Sequence, residues 1–379
     1  METPEAVRRA ESLTDLIAAQ AAGAEIDRRV SREVVDAVCE AELFELAVPT
    51  SLGGHGLGLD ALAETTRTMA RACPATAWTV SFLMLHAWLL SKLSSEGVEE
   101  VFDGTAAPLA AAPLAPTGSA APADGGFVVN GRWEWATGSA HSDWLVAHAI
   151  EEGPELATRF VVMPMEDVTV EDVWFTAGMR ATGSNTVVVQ DCFVPAHRTI
   201  GSADLLDSTA SVEGDGLTGI PVISALALVA AAPALGGAER AAQEYRNRLA
   251  ERVLAYTLGD KAVEQPAAQM RLAAVEDLVA TAGARWRHAT RALTDGVPTM
   301  DDRVDARLAA ASVVRMSREA ISTACEGSGA SVYFESHPLQ RIQRDVETLK
   351  GHVIFDWDRT TELAGRHSLG LESRVTDMV

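Results

Sequence analysis

The chain is poor in the features that most often fix a protein's class at first reading. Its 379 residues hold four cysteines (Cys39, Cys73, Cys192 and Cys325), far apart and in no C-x-x-C pair. That excludes a disulfide framework and a cysteine-based metal centre, and reads as four reduced core thiols of a cytoplasmic protein with no metal site. Positive charge is scarce: 31 Lys and Arg stand against 53 Asp and Glu, a net charge of −22. Nucleic acid and anionic membrane surfaces both demand a positive patch, so neither is an expected partner. Long hydrophobic runs are missing as well. The longest, Ile220 to Leu235, is interrupted by Pro221 and Pro233 and is too short to cross a bilayer. The opening METPEAVRRAESLTDL has no apolar core of a signal peptide. No G-x-G-x-x-G follows a strand, so no nicotinamide dinucleotide site is expected.

What is present is an ordinary globular balance, 47% hydrophobic and 22% charged, over a length that suits two or three folding units of about 150 residues. Apolar residues recur at helical spacing around Val34, Val38 and Leu43, through Leu59 to Arg71, and through Ala77 to Leu93. From Ala106 onward Pro108, Pro113, Pro116 and Pro122 exclude a long helix. Short β-type runs follow at Phe127–Val129, Trp133–Trp135, Trp144–Ala147, Arg159–Met163 and Thr186–Val189. Four long helical segments then come at Ile223–Tyr256, Gln265–Leu293, Arg303–Ser328 and Leu339–Leu363. The expected class is α+β, mainly α: an N-terminal helical domain (1–105), a central β domain (106–211) and a C-terminal helical bundle (212–379).

One stretch is out of keeping with its surroundings. The turn Gly178-Met179-Arg180-Ala181-Thr182-Gly183-Ser184-Asn185 runs straight into the strand Thr186–Val189. Such a turn can face solvent, or it can form a wall against something flat and polar. Glycine permits close approach of the backbone, and the hydroxyls supply both donors and acceptors.

Four motifs in order, covering nearly the whole chain, decide for the wall. They are CPATAWTVSFLMLHAW (Cys73 to Trp88), GGFVVNGRWEWATGSAHSDW (Gly125 to Trp144), GMRATGSNTVVV with FVP after it, and HPLQRIQRDVETLKGHVIFDWD (His337 to Asp358). Together they resemble the acyl-CoA dehydrogenase fold, and within it the two-component flavin-dependent monooxygenases that hydroxylate aromatic compounds, including polycyclic natural products. The resemblance implies a middle β-barrel or sheet domain and a C-terminal four-helix bundle. It also implies reduced FMN or FAD supplied by a separate flavin reductase, O2, oxygen transfer through a C4a-hydroperoxide, a small-molecule aromatic substrate and a homotetramer. N-oxygenation of an amino sugar, S-oxygenation, an acyl-CoA dehydrogenase and a catalytically silent scaffold remain alternatives.

The resemblance also nominates residues. Thr137 stands where the family places a Ser beside flavin N5, and Trp78, Arg180, Thr182, Gly183 and Ser184 are expected around the ring. Arg252 and Arg271 are expected at the flavin phosphate, which calls for fixed positive charge. The His of the first motif, His86, is expected at the substrate oxygen. His352 is the expected acid or base, because an imidazole titrates near neutrality. A continuous helix would put Asp345, Thr348, His352 and Asp356 on one face, with Asp356 orienting the ring. Ala110-Ala111-Ala112-Pro113 carries no hydroxyl where hydroxylases of small phenols have a substrate-contacting Ser, so a larger and more apolar ring system is expected.

Overall fold

A computed structural model describes every residue except 155, 207–215, 255–257, 375, 376 and 378. Six helices come first: α1 (Thr3–Ser12), α2 (Thr14–Asp27), α3 (Arg32–Glu40), α4 (Leu59–Ala70), α5 (Pro74–Leu90) and α6 (Ser95–Val101). Local sequence sets their starts. The side chains of Ser31 and Ser94 accept from Val34 N and Gly97 N to cap α3 and α6. Pro74 opens α5, where a missing N–H is harmless. α5 is apolar all round and buried at every position, as such a helix must be.

The middle of the chain is one eight-stranded sheet. Its strands are β1 (Ala110–Ala111), β2 (Gly118–Ala123), β3 (Gly126–Ala136), β4 (Trp144–Glu151), β5 (Thr158–Pro164), β6 (Thr169–Glu171), β7 (Asn185–Pro195) and β8 (Thr199–Gly201). They run in the order β6-β7-β3-β2-β4-β5-β8, with β1 added on β4. The β1–β4 and β2–β4 pairs are parallel and the others antiparallel. Trp133, fully buried, anchors a small core of this sheet with Val129, Leu145, Val161 and Val187. The two expected runs Phe127–Val129 and Trp133–Trp135 are one strand, β3, with register shifts against β7 between Val129 and Gly131 and between Trp133 and Ala136. The second shift lies beside Trp135, which has a left-handed backbone (φ 63°).

After the short α7 (Ser202–Leu206) come α8 (Val222–Glu251), α9 (Pro266–Thr294), α10 (Met300–Ser328), α11 (Pro338–Leu349) and α12 (Trp357–Ser368). α8 packs against α9, α10 and α11 in a four-helix bundle, and α4 and α5 close its remaining side. Trp286 of α9 donates its indole N–H to the Leu228 carbonyl of α8 at 2.9 Å. The fold is thus α+β and mainly helical. The expected domain boundary at 211/212 and the expected helix end at Tyr256 lie outside the described residues.

Three expectations need correction. The apolar run at Ile220 to Leu235 belongs to a 30-residue helix, α8, which is long and apolar enough to cross a membrane; 94% of its apolar window is buried inside the protein. Cys39 is exposed and Cys192 half-buried, so only Cys73 and Cys325 are core thiols. The fourth helical segment, Leu339 to Leu363, is two helices separated by a break at residues 350–356.

Candidate active site

A cavity of about 550 Å³ opens where α5, the loop 112–116, the end of β3, the polar turn and the α11–α12 break meet. α5 contributes Trp78, Phe82 and His86, spaced i, i+4 and i+8 and therefore stacked on one face. Their rings form a row with His352. Centroids lie 5.4 Å apart for His352–Trp78, 4.6 Å for Trp78–Phe82 and 5.6 Å for Phe82–His86. Opposite them, Ala112, Pro113, Leu114, Ala115 and Pro116 give an apolar wall without a side-chain hydroxyl.

The polar turn forms the hydrophilic edge. Thr182 and Ser184, 2% and 4% exposed, line the cavity with Thr137. Thr137 Oγ1 lies 2.8 Å from Ser184 Oγ, which lies 2.7 Å from Thr182 Oγ1, which donates to the Met179 carbonyl at 2.9 Å. Gly138 N donates to the Thr182 carbonyl at 3.1 Å and ties the two turns together. The backbone here is unusual. Met179 (φ 53°) and Trp135 (φ 63°) are non-glycine residues in the left-handed region, and both line the cavity. Gly183 (φ 53°) lets the turn close, with its Cα against the Arg28 carbonyl.

Asp345 holds that conformation. It is 3% exposed, and its Oδ1 accepts from Met179 N at 2.6 Å, while Oδ2 is buried without a hydrogen-bond partner. Burial raises its carboxyl to about 7, against the Met179 hydrogen bond, which favours ionisation.

The two histidines face the cavity with opposite polarity. His86, 1% exposed, has Nδ1 2.7 Å from the Ala110 carbonyl; a carbonyl only accepts, so Nδ1 carries the proton. Nε2 is then a bare acceptor, and it is buried with no partner. His352 is the reverse: its Nδ1 accepts from Ile354 N at 3.3 Å, so the neutral ring carries its proton on Nε2 as a donor. Burial pushes both imidazoles down to about 4, and for His352 the nearby Arg307 guanidinium adds to the effect. Both rings are neutral at pH 7.

His352 does not lie on a helix. α11 ends at Leu349, and His352 caps a short 3-10 turn, Val353–Phe355. The expected helical face from Asp345 to Asp356 is therefore absent. Asp356 is exposed, lies outside the cavity lining, and caps α12 by accepting from Arg359 N at 3.1 Å. Of the other expected residues, Trp78, Thr137, Thr182, Ser184, His86 and His352 all line the cavity. Arg180 points away and donates to the Glu25 carbonyl at 3.2 Å. Arg252 and Arg271 are also remote from it and converge on a glycine break at the end of α10, formed by Gly327 in its last turn and Gly329 at its cap. Arg252 donates to the Gly327 carbonyl at 3.2 Å, and the Arg271 stem packs beside Gly327. Arg248 joins them through the Ser328 carbonyl at 2.7 Å. Sequence reading did not foresee the roles of Met179, Asp345, Trp174 and Arg307. The first two carry no sequence signal of their role, because it is made by a hydrogen bond from the Met179 backbone N–H to the Asp345 carboxylate, 166 residues apart.

Comparison with known proteins places this arrangement in a class. Residues 5–102 match the acyl-CoA dehydrogenase N-terminal domain, and residues 228–357 match the acyl-CoA dehydrogenase C-terminal domain. The flavin-dependent monooxygenase oxygenase subunit HsaA of Mycobacterium tuberculosis (strain ATCC 25618 / H37Rv) is 30% identical over 360 residues, 91% of this chain and 90% of that one. The FADH(2)-dependent resorcinol hydroxylase, oxygenase component, of Rhizobium sp. (strain MTP-10005) is 27% identical, covering 97% of this chain and 95% of its own. The structure of XiaF from Streptomyces sp., in complex with FADH2 and glycerol, superposes with a TM-score of 0.93 at 28% identity, covering 99% of this chain and 97% of XiaF. The chain belongs to the flavin-dependent monooxygenases of the acyl-CoA dehydrogenase fold, as the oxygenase component.

Proposed function

We propose that the protein hydroxylates an aromatic compound that carries a hydroxyl group, on a ring system larger and more apolar than a simple phenolate, with reduced FMN or FAD delivered by a separate reductase. The opposite polarity of His86 and His352 on one cavity carries this reading.

The cavity fits a flavin ring. It offers apolar and aromatic faces from Trp78, Trp174 and Met179 and a hydrophilic edge from Thr137, Thr182 and Ser184. Reduced flavin supplies the electrons for O2 activation when bound. The protein's own groups do the rest. His86 Nε2 accepts the substrate hydroxyl proton in a hydrogen bond. With its imidazole held near 4 it polarises that hydroxyl without removing the proton, and electron density moves into the ring. His352 Nε2–H donates to an oxygen atom in the cavity, and burial, aided by the Arg307 guanidinium, keeps the ring from becoming an imidazolium. The apolar loop 112–116 and the row of rings exclude water. A dehydrogenase working on a thioester would need a carboxylate base here. The carboxylate on the described cavity lining is Glu134, half-exposed and paired with Arg132 at 3.3 Å.

Arg248, Arg252 and Arg271 have no carboxylate partner among the described ion pairs and suit a flavin phosphate. They lie off the cavity, so they serve that role if a second copy brings its own flavin to the glycine break, as in the expected homotetramer. The test of the whole reading is a reconstitution. The pure chain with NADH, flavin and O2 is expected to form no product until a flavin reductase is added. NADH oxidation by the chain alone at a reductase-like rate would overturn it.

A further inference from the structure

We infer that the hydroxyls of Thr137, Ser184 and Thr182 form a relay of fixed direction, and that this direction makes the site select reduced over oxidised flavin. The inference rests on the reading above that a flavin ring occupies the cavity, with its N5 edge toward Thr137.

The direction follows from proton counting. Each hydroxyl has one hydrogen to give. Thr182 Oγ1 gives its hydrogen to the Met179 carbonyl at 2.9 Å, because a carbonyl can only accept. The 2.7 Å contact between Thr182 and Ser184 must then be donated by Ser184. The 2.8 Å contact between Ser184 and Thr137 must in turn be donated by Thr137. Thr137 therefore shows the cavity a lone pair and no hydrogen. Reversing the relay is possible, since the Met179 carbonyl also accepts from Trp174 Nε1 at 2.9 Å and from Thr182 N at 3.2 Å. The reversed order nevertheless gives up the Thr182–Met179 bond. With Thr182 and Ser184 buried, solvent does not replace it. The anchor residue is itself held from the other side, with Met179 N donating to Asp345 Oδ1 at 2.6 Å.

Flavin N5 changes sign in the complementary way. Reduced flavin carries a hydrogen on N5, which the Thr137 lone pair accepts while the relay stays intact. Oxidised flavin has only a lone pair there. It either faces another lone pair or draws the Thr137 hydrogen and forces the relay to reverse. The difference is one buried hydrogen bond, or about tenfold in affinity.

The experiment is an anaerobic titration of the purified protein with reduced and with oxidised flavin, separately, followed by flavin absorbance and fluorescence. Ser184→Ala removes the acceptor of the Thr137 hydrogen and frees it to meet oxidised N5. Its ratio of reduced to oxidised affinity is expected to fall about tenfold, lowering the two-electron potential of bound flavin by about 30 mV. Ser184→Thr, which keeps the hydroxyl, is expected to hold the wild-type ratio. Thr182→Val, which removes the anchor with little change of volume, is expected to lose the preference as Ser184→Ala does, and it decides the matter if Ser184→Ala fails to fold. A wild-type protein that binds neither form refutes the flavin reading itself. Wild type that binds reduced flavin, with ratios unchanged in both variants, overturns the relay direction alone.

Discussion

The two walls of the cavity are made in different ways. One is α5, a regular helix buried along its whole length, which presents Trp78, Phe82 and His86 by simple four-residue spacing. The other is irregular: the left-handed residues Trp135, Gly138, Met179 and Gly183, and the break between α11 and α12. A helix interior pairs its own backbone groups, so it has none left to set the polarity of a side chain. His86 therefore takes its tautomer from outside the helix, from the Ala110 carbonyl of β1. His352 stands at the first turn of a new element, where an N–H is still free, and takes the opposite tautomer from Ile354 N. Regular backbone delivers rings and packing. Irregular backbone delivers direction.

That contrast can be broken most sharply at His352. His352→Ala is expected to lower product formation about a hundredfold or more, the usual scale for a positioned proton donor or acceptor. Folding and reduced-flavin binding are expected to stay near wild type, with oxygen consumption diverted to hydrogen peroxide. His352→Asn keeps an N–H donor and is expected to recover most of the lost rate. Single-turnover product yields would show it, and an Asn variant as poor as Ala would mean that the ring does more than donate.

A smaller effect is expected on the helical wall. His86→Phe preserves a buried ring and removes the Nε2 acceptor together with the Nδ1–H bond to the Ala110 carbonyl, so KM for a hydroxylated aromatic substrate is expected to rise about tenfold, with flavin binding unchanged. Methylating the substrate hydroxyl should erase the difference between variant and wild type. If the methyl ether still separates them, His86 acts through packing.

The smallest effect concerns the anchor of the irregular wall. Asp345 titrates near 7 when folded, against an ordinary value of 3.8. The folded state keeps a proton that the unfolded chain releases, so this group's stabilising contribution is full below about pH 3.8 and is lost as pH rises to about 7. Asp345→Asn retains an oxygen for Met179 N and has nothing to titrate. The stability difference between variant and wild type should shift in the variant's favour from pH 5 to pH 7 and then level off, as read by urea denaturation across that range. Parallel curves would mean that Asp345 is not protonated in the folded state.

The helical wall was legible in the sequence because its information is local: an apolar segment with a proline at the start, and rings at helical spacing. The polar turn was legible by composition, and the placement of Thr182, Ser184 and Thr137 on one cavity was what the family resemblance implied. Three features escaped for physical reasons. β2 was hidden by Pro122, which argues against a strand; β4 pairs only with Gly118 to Ala120, so the missing N–H of Pro122 faces no partner on that side. The break at 350–356 was hidden by helical spacing that continued through it. Gly351 and the cap Asp356, followed three residues later by Arg359, were the local signs of a stop and a restart. The bond from Asp345 to Met179 could not be read at all, since nothing in either segment names the other.

The burial of α8 has a consequence for synthesis. The chain emerges from its N-terminus, so α8 is complete before α9 and α10 exist to cover it. Until Thr294 has been made, a helix long and apolar enough to cross a membrane lacks both α9 and α10 and rests mainly against α4 and α5. A nascent or truncated chain ending between Glu251 and Thr294 therefore exposes apolar surface of α8 that the complete protein buries. The last third of the sequence acts as a shield for the middle, and a stalled ribosome in that window leaves a product that chaperones or proteases must handle.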